Sequence, residues 1–249
     1  KKDKPCFQTT PGFRLTVQGG IGTEKEDAFL REYYNSDGTG WGTPFLLVPE
    51  MTTVDYETRQ RLAKAGKEQL YLSGISPLGV PFNTVKGTIS NEYRQEKIDS
   101  GRPGSICPKG HLVFSKEYTK KPICTASITF QKRKINEIDS KELSKDEYED
   151  MFESVVRKTC LCEDLAAGAL IEYGIESKRP LKPVVCPGPN LAYFSKIVSL
   201  KDMVGHIYGR TEVINKTIER SNMFMNELKM YVDFYVKEIK QVMPEPNKK

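Results

Sequence analysis

The 249-residue sequence predicts an α/β fold in which βα units come first and a mainly helical region follows. Three observations predict it. A short alternating run ends abruptly in "GGIG" at residues 19–22, a helix-start signal follows at once, and a second glycine cluster, "GWGT", occupies 40–43. From residue 144 onward, apolar residues instead recur at helical spacing behind capping side chains.

Phe13 to Gln18 alternates apolar and polar side chains and is short, so it reads as a strand that Gly19, Gly20, Ile21 and Gly22 cannot continue. Thr23 and Glu26 have the capping-box spacing, with a hydroxyl to accept from the amide three residues on and a carboxylate to reach back. A helix therefore starts at about Glu24, carries Ala28, Phe29 and Tyr33 on its apolar face, and ends in Asn35 to Gly38. Thr39 to Val48 is readable as the next strand, but pairing the two glycine clusters side by side moves that strand to residues 37–41 and makes Phe45 to Glu50 the exit. Residues 55–66 follow as a helix stopped by Gly66. Residues 73–110 are rich in Gly, Pro, Ser and Asn and read as surface loops. The domain division falls there, giving 1–90 as βα units and 91–249 as a mainly helical, cysteine-containing accessory domain. Within the latter, Ser144 and Glu147 form a second capping box, Leu165 to Tyr173 is a helix ended by Gly174, Ser199 and Asp202 open another, and a long amphipathic helix runs from Asn222 to Pro244.

A strand that stops in glycines and turns into a capped helix presents amides at the positive end of that helix, where phosphate binds. Gly42 and Thr43 add an amide and a hydroxyl from the neighbouring strand end, as in the phosphate site after the last strands of a TIM barrel. The alternative is that these glycines only make tight turns.

The stretch from residue 14 to 87 resembles the C-terminal part of the FMN-dependent TIM barrels of the nitronate monooxygenase (2-nitropropane dioxygenase-like) family. The resemblance rests on Gly19–Gly20–Ile21, on the pair Gly42–Thr43, on Glu50, and on the segment Gly79 to Pro81. It implies the C-terminal portion of a (β/α)8 barrel, an FMN phosphate held by Gly19, Gly20, Ile21, Gly22, Gly42 and Thr43, and a flavin-dependent oxidoreductase or monooxygenase acting on a small molecule of the nitronate class. It also implies that the chain is a fragment, since the family's histidine base lies in a part this sequence does not show and neither His111 nor His206 matches it. The catalytic residues are therefore unassigned. Trp41 stands where the family has a smaller residue and reads as barrel filling.

Thirty-eight basic residues against 33 acidic ones leave +5, with the signs interspersed, which argues against a nucleic-acid partner. The sequence has neither an apolar run of membrane length nor a signal-peptide core near residue 1, so the expectation is a cytoplasmic protein. Six cysteines are too few and too unevenly spaced for a disulfide framework. Cys107, Cys124, Cys160, Cys162 and Cys186 lie at turns or a helix start, where thiolates hold zinc or an iron–sulfur cluster; Cys107, Cys124, Cys162 and Cys186 form the first choice, with Cys160 as substitute. Buried inert thiols are the other reading. Asn190, Lys196, His206 and Arg210 are candidates to face an anionic ligand, with His206 equally readable as a structural histidine.

Overall fold

The structure, a computed structural model, describes residues 6–242. It is a mixed α/β architecture with eight α-helices and four short strands among the described residues. The strands form two separate two-stranded sheets, and no closed barrel occurs among the described residues. No described helix is long and apolar enough to cross a membrane. The chain divides into two compact units, one of residues 1–42 with 201–249 and one of residues 43–200. The division expected near residue 90 lies inside the second unit.

In the first unit, β1 (Thr16–Gln18) pairs in parallel with β2 (Gly38–Gly40), with Thr16 opposite Gly38 and Gln18 opposite Gly40. A parallel neighbour requires a crossover, and α1 (Glu24–Glu32) supplies it. β2 thus lies within the expected 37–41 rather than over 39–48, and residues 43–47 form a 3-10 turn. Thr23 caps α1, its hydroxyl accepting from the Glu26 amide. Leu30 of α1 is buried with Ile21 and Met223, and Val17 and Trp41 pack on them. Met223 opens α8 (Met223–Val242), whose Phe224 ring meets Phe29 edge-on.

In the second unit, α2 (Tyr56–Lys64) is capped by Asp55 and followed by an antiparallel pair, β3 (Leu70–Ser73) with β4 (Phe82–Val85). The segment 73–110 is therefore not all loop. Its hairpin turns through Gly79 at φ +76°, and Thr88 caps α3 (Ile89–Asp99). α4 (Ile128–Asp139), capped by Ser127, packs on α5 (Lys145–Val156), which carries the expected two-way capping box of Ser144 and Glu147. α6 (Leu161–Glu172) has Cys160 at its N-cap and is followed by Gly174 at φ +61°. A 3-10 turn at Pro189–Tyr193 follows, and α7 (Leu200–Ile207) begins at the unit boundary. Leu47, Leu62, Ile138, Leu191 and Phe194 are among the fully buried side chains of this unit. Arg59, itself buried, donates from both terminal nitrogens to Glu172, which ties α2 to α6.

Candidate functional site

Two places carry chemistry, one in each unit. In the first unit both glycine clusters follow the carboxyl ends of the parallel strands, because Gln18 and Gly40 are register partners. Gly19 and Gly20 have φ of +97° and +73°, a left-handed conformation that side-chain-bearing residues rarely hold. A Cβ on Gly19 or on Gly42 would meet nothing within 4 Å, so the backbone is open at both positions. Ile21 is buried and anchors the turn into the core.

The end of α1 is organised by a pair absent from the sequence reading. Glu26 does not return to its N-cap amide as a capping box requires; its carboxylate instead accepts from the Gly22 amide at 2.8 Å and from the Met223 amide at 2.7 Å. Arg220 donates to both Glu26 oxygens, at 2.8 and 2.9 Å, and also to the Gly20 carbonyl at 2.9 Å. Both side chains are about nine-tenths buried. A Cβ on Gly22 would stand 2.6 Å from the Arg220 guanidinium, so a side chain there would push the guanidinium aside. His206, 2% exposed, places Nε2 at 2.8 Å from the Gly22 carbonyl, and the Trp41 ring meets it edge-on. An imidazole nitrogen facing a carbonyl carries the proton and donates it. The Trp41 indole N–H is buried without a hydrogen-bond acceptor.

These residues fit an anionic group in part. Two left-handed glycines and an open Gly42 leave room beside the backbone, and the indole N–H is a buried donor without an acceptor, while Glu26 already occupies the Gly22 amide at the helix end. Of the six residues expected to hold the cofactor, Gly19, Gly20, Ile21, Gly22 and Gly42 belong to the first unit. Thr43 opens the second, where its hydroxyl accepts from the Gly188 amide at 3.2 Å.

In the second unit Cys107, Cys124, Cys160 and Cys162 line one small cavity together with the apolar side chains of Pro77, Leu112 and Leu161. Cys186 and Cys6 are exposed and do not line it. The preferred set with Cys186 is therefore not the set brought together; Cys160 takes its place. Burial pushes the Cys124 thiol up, against a backbone N–H from Ala126 that favours the thiolate, and the Cys107 and Cys162 thiols beside it push the same way as burial. Burial likewise pushes Cys160 up to about 11, against an N–H from Glu163. As the sulfurs stand, no three His, Cys, Asp or Glu side chains among the described residues are arranged to hold a metal ion. Next to this cavity, Asp164 is 2% exposed, accepts from the Ser90 hydroxyl at 2.6 Å and pairs with Lys182 at 3.4 Å. Burial raises its carboxyl above the usual range.

Neither Glu26–Arg220 nor Ser90–Asp164–Lys182 left a signal in the sequence, because partners up to 194 residues apart have no shared periodicity. Comparison with protein-family models gives no match, and comparison with curated proteins gives none either.

Proposed function

We propose that the βα units of residues 1–90 are the C-terminal portion of an FMN-dependent (β/α)8 barrel, followed by a mainly helical accessory region, in an oxidoreductase resembling nitronate monooxygenase in which Gly19, Gly20, Ile21, Gly22 and Gly42 hold the flavin phosphate. One observation carries the reading: the parallel β1–β2 pair, joined by α1, sets both glycine clusters after the carboxyl ends of adjacent strands. Ligands of parallel α/β sheets bind at that edge. The unpartnered Trp41 N–H beside Gly42 supports it as a donor suited to an anionic oxygen. FMN, when bound, supplies the redox chemistry for a small carbon acid such as a nitronate. The chain's own part is binding and orientation. His206 fixes the Gly22 carbonyl, Arg220 that of Gly20 and Glu26 the Gly22 amide, which sets the conformation of the loop before a ligand arrives. No residue of the chain is assigned as the base.

A second reading, a non-catalytic module that binds phosphate esters, draws on the Glu26 carboxylate at the end of α1, which leaves the glycine turn rather than the helix axis to meet an anion. Flavin fluorescence titrations with FMN and with riboflavin separate the outcomes. The flavoprotein reading expects FMN to be quenched at much lower protein concentration than riboflavin. Equal affinities, or no quenching by either, overturn it. FMN displaced easily by glycerol phosphate points to the second reading.

A further inference from the structure

We propose that Cys107, Cys124, Cys160 and Cys162 form a tetrahedral four-thiolate site for one zinc-class divalent ion, which fastens two irregular stretches of the second unit to the start of α6. The inference lies wholly in residues 43–200 and stands apart from the flavin reading. Four of the six cysteines, drawn from three stretches, line a single cavity of about 10 Å³ with an otherwise largely apolar wall. That is room for about one water-sized sphere. It admits an ion and is too small for a cluster of several iron and sulfide atoms.

The surroundings are those a thiolate centre needs. The Ala126 and Glu163 amides favour the thiolate forms of Cys124 and Cys160. Amides so placed spread the negative charge of metal-bound sulfur. The stretches are held together before any ion arrives: Ser105 donates its amide to the Ala126 carbonyl at 2.8 Å, Ile128 returns one to Ser105 at 3.1 Å, and the Gln131 side-chain amide on α4 donates to the Val155 and Lys158 carbonyls, just ahead of Cys160, both at 3.1 Å. All four thiols are free, and rotation about χ1 is the adjustment by which their sulfurs would close on one ion. Binding exchanges the four thiol protons for the ion, with no change in oxidation state. Soft sulfur ligands in a tetrahedral set select zinc over hard cations such as magnesium.

The test is metal analysis of the full chain purified under reducing conditions, followed by cobalt substitution. The expected result is one zinc per chain and, with cobalt, the intense thiolate charge-transfer absorption of a tetrahedral site. Thiol titration then finds Cys6 and Cys186 reactive at once and the other four only after chelation. Cys186→Ser should keep the metal, and Cys124→Ser should lose it; should Cys124→Ser fail to fold, the cobalt spectrum of the unaltered chain still decides. Absence of zinc with no cobalt spectrum, a Cys107–Cys124 disulfide, or iron with acid-labile sulfide would each overturn the proposal.

Discussion

Glu26 and Arg220 decide the shape of the glycine loop. A carboxylate accepting two amides and both arms of an arginine, with each side chain about nine-tenths buried, is a pair whose halves cannot be separated cheaply. Glu26→Gln leaves Arg220 as a buried charge without its counter-ion, so the first unit should lose about 3 kcal/mol or more of stability in urea denaturation. A change under about 1 kcal/mol would mean the pair behaves as an exposed one. At the same scale, Trp41→Phe keeps a smaller aromatic ring against the core and removes the indole N–H. If that N–H meets the phosphate, FMN should bind about tenfold more weakly while riboflavin is unaffected, as expected for one hydrogen bond to a charged oxygen. An equal loss for both ligands would assign Trp41 to packing alone.

At the scale of elements, α4 is held by a polar network rather than by apolar burial alone. The Glu137 carboxylate accepts from the Tyr118 hydroxyl and from Lys141 and Lys134, and these bonds hold it down to about 2, with the Tyr118 hydrogen bond contributing most. A carboxyl whose folded value is depressed adds stability at neutral pH. That stability is lost as pH falls from the usual carboxylate range, near about 4, toward 2. Carbon-detected NMR of the Glu137 carboxyl should therefore show no protonation at pH 4. Titration there at an ordinary value would contradict the network. Elements with local signals were legible in the sequence: the strand into glycine, Thr23 before α1, the box of Ser144 and Glu147, and the apolar residues of α8. α3 was not, because it buries Ser90 alone and has no apolar stripe. β3 and β4 are four residues each, embedded in Gly, Pro and Ser that mimic loop. α4 hides Phe130 and Ile138 among lysines and arginines, and its cap, Ser127, follows an irregular stretch.

At the scale of the whole molecule, the sequence suggested a division near residue 90, whereas residues 1–42 are completed by 201–249. The physical reason is that the first βα unit finds its packing in Met223 and its loop partners in His206 and Arg220, contacts made far along the chain. The glycine turns were legible because the backbone conformation they require is local. The thiol cavity was legible only as a list of candidates, and folding selected Cys160 over Cys186 by burying one and exposing the other. The central claim is that the two glycine clusters at one strand edge receive a flavin phosphate. The measurement that meets it most directly is the phosphorus NMR spectrum of FMN mixed with the full chain. The account predicts a displaced, broadened phosphate resonance that Trp41→Phe partly restores. A sharp, unshifted resonance at saturating protein would contradict it.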